Sequence, residues 1–280
     1  MLGRTLGLGS LAVLLAFGSG TTSAVAQDRR AVPSTCLAIA ETLPKARFAA
    51  FADRSRPPVW TAALGRDEVE ITYIHHSTYL IESAGGVRIA TDFSGLSGPG
   101  GPPDIVTMNH AHSTHYTEFP DPAIPHVLRG WNPAGNGPAR HSLEVEDVLV
   151  RNVPTDINRF GTFEADGNSI FVFEVAGLCI GHLGHLHHQL TDEDYAAIGR
   201  LDVLMVPVDG SWTMSQAGMG EIAERLHSSV VLPMHRFRTP IERFLAAIPD
   251  FAVERRPSAS LTLSPRTLPR RPTVILLDGV

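Results

Sequence analysis

Three histidines, His110, His112 and His115, fall within six residues at the end of an apolar run, Ile105 to Met108. The run reads as a buried strand and the histidines as the turn at its end, where sites are commonly built on a rigid scaffold. Imidazole is the commonest metal ligand in proteins, and neutral imidazoles suit zinc and other borderline divalent ions. Two further strands end in the same way. Leu178 to Ile180 leads into Gly181-His-Leu-Gly-His-Leu-His-His188, and Val230 to Met234 ends on His235. Seven of the thirteen histidines thus lie in two short stretches, and a third strand end adds another. Taken alone, His235 is as readily a hydrogen-bonded core residue, and any one stretch a polar loop. Three strand ends that each deliver histidine are what a metal site between strands requires.

The 280 residues are enough for one large domain with a substantial core. A composition of 43% apolar and 19% charged residues is that of a globular protein. The net charge of -6, with no basic block, argues against nucleic acid as a partner. Residues 1–26 read as a secretory signal peptide: a basic start at Arg4, an apolar stretch from Leu6 to Phe17, and small residues up to Ala26. The apolar stretch is too short for a good membrane anchor. A periplasmic or secreted protein with no membrane partner after cleavage is therefore expected. In such an oxidising compartment the two cysteines, Cys36 and Cys179, have the option of bridging, and two unrelated buried thiols are the alternative.

Residues 27–66 read as a mostly helical lead-in, broken at Arg56-Pro-Pro58, and 67–280 as the main domain. Val69 to Ile74 alternates as a half-buried strand. Thr78 to Glu82 and Val87 to Thr91 form a hairpin about Ala84-Gly-Gly86, with Asp92 at its end. A Gly/Pro-rich loop spans 94–103. Strands are expected at 126–128, 145–153, 168–174, 178–180, 202–208, 230–235 and 273–277, and helices at 191 onward, 215–227 and 240–248. Hairpins first and strand–helix alternation later indicate a layered α/β domain.

These residues also carry a resemblance. His110-Ala-His-Ser-Thr-His115 resembles the His-x-His-x-Asp-His motif of the metallo-β-lactamase superfamily. Tyr73 to Asp92 is similar to the N-terminal hairpin of the branch containing L-ascorbate-6-phosphate lactonase, and His182 to His188 to that branch's His-Leu-Gly-Asp-Leu-Gly-His. Val206-Pro-Val-Asp-Gly210 and Pro233-Met-His235 match later motifs of the branch in order and spacing. The resemblance covers residues 69–240 and implies an αββα four-layer sandwich with a metal site at one edge.

The departures fall on ligands. Thr114 stands where the family has Asp, and His185 where it has a bridging Asp. The family's middle histidine is missing near Val153 to Asp156, with Asp156 as the nearest substitute. The inventory that remains, His110, His112, His115, His185 and His235, suits one metal ion better than two. Zinc is the first expectation, with manganese or iron as alternatives. The resemblance implies hydrolysis of a small molecule with an ester, lactone or phosphodiester bond, by hydroxide that a bound divalent ion supplies near neutral pH. Asp92 is expected to orient a ligand imidazole, and His76 to contact substrate or the activated water. Asp209 and His188 are lesser candidates of this kind, and His126, His141 and His227 read as structural. A serine hydrolase is disfavoured, because no Gly-x-Ser-x-Gly elbow is present. The same inventory also suits a metal-binding or sensing protein without turnover.

Overall fold

A computed structural model describes residues 34–37, 64–159 and 161–280, all within the unit Pro33–Val280. The signal peptide expected over 1–26, and the lead-in over 27–66 apart from 34–37 and 64–66, lie outside the described residues. The strands in chain order are β1 (Val69–His75), β2 (Thr78–Ser83), β3 (Arg88–Ala90), β4 (Ile105–Met108), β5 (His126–Arg129), β6 (Ser142–Val145), β7 (Val148–Arg159), β8 (Thr162–Val175) and β9 (Leu178–His182). Next come α1 (Asp192–Ile198), β10 (Val203–Pro207), α2 (Gln216–Leu226), β11 (Val230–Met234), α3 (Glu242–Ala247), β12 (Ala252–Arg255), β13 (Ser260–Leu263) and β14 (Thr273–Leu276).

These strands form two sheets. One has six strands in the order β13-β1-β2-β3-β4-β5, and the other eight in the order β12-β14-β11-β10-β9-β8-β7-β6. The first part of each sheet is a run of antiparallel hairpins, as the turn signals require. Ala176 and Gly177, both at positive φ, make the tight turn between β8 and β9. Then β9, β10 and β11 run parallel and are buried along their whole length. Helices α1 and α2 provide the crossovers, so both faces of these strands are covered and their sequences are continuously apolar rather than alternating.

The core lies between the sheets. Ile71, Tyr79, Ile81, Ile89 and Ile105 of the first meet Phe171, Phe173, Ile180, Met205 and Leu232 of the second. The opposite face of the second sheet (Ile170, Val172, Leu204, Val206, Val231) packs on Met219, Ile222 and Phe244 from the helices. On the outer face of the first sheet, Ala90, Val106 and Met108 are covered by loop residues Ile124, Tyr116 and Trp131. Within the core, the phenol of fully buried Tyr79 donates to the Pro233 carbonyl at 2.8 Å and so joins β2 to β11 across the layers.

The architecture is the expected α/β sandwich, with differences in detail. The stretch 145–153 is not one strand. Glu146, at positive φ, and Asp147 turn the chain between β6 and β7, and the Asp147 carboxylate accepts from Ser83 Oγ and the Gly85 amide. Strands β7 and β8 run well past their apolar parts, because their polar outer halves still pair through the backbone. Strand β12 is largely exposed and offers no apolar alternation to read.

Cys36 and Cys179 are disulfide-bonded and so pin residues 34–37 to β9. The Glu174 carboxylate accepts from Ser34 Oγ and from the amide and hydroxyl of Thr35, and the Arg200 amide donates to the Cys36 carbonyl at 3.0 Å. The bridge closes a loop with a sequence separation of 143 residues. A loop that long restricts the unfolded chain strongly, and Cys36→Ser is expected to lower unfolding free energy by about 2–4 kcal/mol. Denaturant melts with and without reductant check this: reductant should shift the parent midpoint to that of the variant and leave the variant where it is.

Candidate metal centre

The chain places its histidines where strands end. His76 sits in the turn between β1 and β2, and Asp92 two residues after β3. The segment 109–115 comes after β4, 182–185 closes β9, Asp209 lies just past β10, and His235 just past β11. The parallel strands deliver these groups at their carboxyl ends, the usual place for a ligand site in such sheets. The backbone there is forced. His76, Asp92 and His235 adopt φ of 47°, 48° and 50°, a left-handed region that residues with a Cβ seldom occupy. Gly184 is also left-handed, and a Cβ on it would come within 2.5 Å of Asn168 Oδ1.

Three imidazoles form the tightest group: one nitrogen each from His76, His115 and His235 lies within 4.8 Å of the others. The Nε2 atoms of His115 and His235 face each other at 3.2 Å. Behind each ring stands a buried carboxylate. His115 Nδ1–H donates to Asp92, and His235 Nδ1–H donates to Asp209 Oδ1 at 3.0 Å. This arrangement fixes the tautomers and turns both Nε2 lone pairs inward. Two facing lone pairs repel unless a proton or a cation lies between them. The Nε2 of His76 is buried and has no hydrogen-bond partner. Three nitrogen donors without a use inside the protein, two of them backed by carboxylates, fit a divalent metal ion.

The other histidines surround this group. The His185 ring lies 4.6 Å from that of His115 and 5.1 Å from that of His235. Its Nδ1 pairs with His187 Nε2 at 2.7 Å, which leaves its own Nε2 for a ligand. His110 and His112 are further out, with ring centres 5.4 and 6.2 Å from His185. His110 Nδ1–H donates to the Gly167 carbonyl, and His112 Nδ1 pairs with Thr114 Oγ1 at 3.0 Å. Thr114 thus orients a histidine instead of taking the place of the family's aspartate. Buried His182 is fully used by the fold: Nε2–H donates to the Ser77 carbonyl and Nδ1 accepts from the Gly184 amide. Asp156 accepts from the Asp166 amide, and His188 Nε2 accepts from the Asp156 amide, so both brace the β7–β8 hairpin.

Burial pushes His76 down to about 3 and His187 to about 4. It also lowers His115 and His185, with neighbouring imidazoles adding to the effect, and lowers His110. These rings are neutral at neutral pH, the form that binds metal. Burial works against the Asp209 carboxylate, but His235, Thr213 and the amides of Ser211 and Trp212 outweigh it and hold its carboxyl well below the usual range. Asp92 is raised by burial, which the Asn109 amide opposes.

The role of Asp209 as the partner of His235 was weakly signalled by the sequence. Its position at a strand end in Val206-Pro-Val-Asp-Gly210 was the available cue. His76, expected near substrate or the activated water, lies within 4.8 Å of His115 and His235 by one nitrogen each, and the His235 amide donates to the His76 carbonyl at 2.8 Å, a tertiary contact.

Residues 70–235, more than half of the chain, match the family described as Beta-lactamase superfamily domain. A UPF0173 metal-dependent hydrolase of Methanosphaerula palustris is 26% identical over 215 residues, covering 70% of this chain and 97% of its own. Its counterpart from Methanocorpusculum labreanum is 25% identical over 190 residues, 60% of this chain and 83% of its own. Among solved structures, a candidate Zn-dependent hydrolase of the metallo-beta-lactamase superfamily from Thermotoga maritima matches with a TM-score of 0.56 at 27% identity, covering 75% of this chain and 98% of that one. A candidate metal-dependent hydrolase from Parabacteroides distasonis shares the fold, with a TM-score of 0.52 at 15% identity over 65% of this chain and 89% of its own.

The carboxylate behind His235 gives a direct check. Asp209→Asn keeps the size of the side chain but offers the imidazole a weaker partner, and metal affinity should fall roughly 10–100-fold. Competition with a chelator measures it, and an unchanged affinity would remove His235 from the ligand set. The family match, the sandwich with donors at its strand ends and these relatives agree: the chain belongs to the beta-lactamase superfamily domain family and is a metal-dependent hydrolase of it.

Proposed function

We propose that this metal-dependent hydrolase works with a single divalent ion, zinc in the first place, held by His76, His115 and His235 with His185 completing the set. The observation that carries this reading is the pair of Nε2 atoms facing at 3.2 Å, beside the partnerless Nε2 of His76. An ion held there supplies a Lewis acid and a water activated near neutral pH. The chain's own residues do the rest. Asp92 and Asp209 hold His115 and His235 in one tautomer. Because both carboxylates are committed to imidazoles, the chain offers imidazole for proton transfer. The His185–His187 hydrogen bond of 2.7 Å would hold the His185 ring with its Nε2 turned to the ion. His110 and His112, each with Nδ1 engaged, keep Nε2 for an oxygen of the substrate.

The substrate class proposed is a small ester, lactone or phosphodiester. The likeness of 73–92 and 182–188 to the branch containing L-ascorbate-6-phosphate lactonase supports it. Export to the periplasm or medium belongs to the same proposal. The signal pattern over 1–26 supports it, and so does the disulfide, since such bonds persist in oxidising compartments.

Elemental analysis of protein purified without a histidine tag should give about one ion per chain. Turnover of generic ester, lactone and phosphodiester substrates should then depend on that ion. His76→Ala and His115→Ala should each lose the ion and all turnover. His110→Ala separates this ligand set from the one expected from sequence: here it should keep the ion and lose activity, and loss of the ion would put His110 back among the ligands. One ion with no turnover on any substrate would favour a metal-binding or sensing protein, and two ions would end the single-metal reading.

A further inference from the structure

A cavity of about 330 Å³ opens at the end of β5 and shares no lining residue with the histidine cluster. Arg129, Trp131, Asn132, Arg140 and His141 line it, and no carboxylate does. Neither guanidinium has an ion-pair or hydrogen-bond partner among the described residues, although the chain carries 29 acidic residues against 23 basic ones. Arg129 is half-buried, so leaving it unpaired forgoes an interaction that arginine usually makes.

The pocket is built rather than incidental. Its loop, 130–141, is clamped at both ends by one polar chain. Ser169 Oγ–H donates to the Gly130 carbonyl at 2.6 Å, and Asn152 Nδ2 donates to Ser169 Oγ and to the Ala139 carbonyl. The His141 amide donates back to Asn152 Oδ1. The His141 ring stacks on Phe171 and donates from Nε2 to the Arg129 carbonyl, which closes the floor. Trp131 is held by an edge contact with Tyr116 at 5.4 Å.

We propose that this pocket binds a small phosphate ester of a planar ring, the phosphate on Arg129 and Arg140 and the ring against Trp131. The planar fork of arginine matches phosphate oxygens two at a time, an indole face accepts a flat ring, and the volume suits one ring with its phosphate. The site is independent of the metal and of the hydrolase reading.

The test is calorimetric titration of the full chain, zinc-loaded and after treatment with a chelator, with phenyl phosphate and with inorganic phosphate. Saturable binding of phenyl phosphate is expected in both forms, about tenfold tighter than inorganic phosphate. Arg140→Ala and the double variant Arg129→Ala/Arg140→Ala should weaken it progressively, the latter by about tenfold or more. Trp131→Leu should abolish the preference for the ring. Arg255→Ala, an exposed arginine elsewhere, should leave it unchanged. Binding confined to the zinc-loaded form, equal binding by parent and double variant, equal affinity for the two probes, or equal loss in Arg255→Ala would each overturn the proposal.

Discussion

Two lone pairs that meet at 3.2 Å, on His115 and His235, set the terms for this corner of the molecule. Neither ring can turn away, because each donates a hydrogen bond from Nδ1–H to a buried carboxylate. Burial makes His115 slow to take up a proton, and holds His76 beside it neutral. A buried polar atom without a partner costs about 1–3 kcal/mol, and each left-handed residue that holds a donor in position costs a similar amount. Those costs fall on His76, Asp92 and His235 together. The layers behind can bear them, and a cation in the proposed site would satisfy all three nitrogens at once.

The rigidity comes from plain strand physics. Parallel strands need crossovers, crossovers bring helices, and helices cover the second face of the sheet. With β9, β10 and β11 buried on both faces, their ends move little, and the residues just past each end inherit that fixed position. His185, Asp209 and His235 are each placed by that means. Asp209 illustrates the economy of the design: one carboxylate accepts from the amides of Ser211, Trp212 and Thr213, and so shapes its own loop while it orients His235.

Much of this was legible in the sequence, for identifiable reasons. Strand ends carrying His110 to His115, His182 to His188 and His235 announced themselves through apolar runs, a local signal. Asp92 was placed by its position at the end of a hairpin, and it accepts from His115 Nδ1–H. What escaped was non-local or silent. His76 was expected beside the activated water, but its grouping with the nitrogens of His115 and His235 rests on contacts between residues 159 apart in sequence. Thr114 reads as a poor ligand, yet its use is to hold His112, which only the rotamers reveal. The pocket of Arg129 and Arg140 escaped because its polar clamp joins three distant segments, none of which has a motif.

The donors do not come from one layer. His76 and His115 hang from the six-stranded sheet, His185 and His235 from the eight-stranded one. An ion shared among them would therefore be a rivet through the sandwich, set at the rim where the Tyr79–Pro233 hydrogen bond already joins the same two layers. Whatever free energy is gained by binding the ion is gained only when the sheets are in register, so by linkage the ion holds the sheets together as firmly as the sheets hold it. The centre is in this sense a gauge of the fold: a core substitution that lets one layer slide on the other will register first as a loosened grip on metal, well before the chain unfolds.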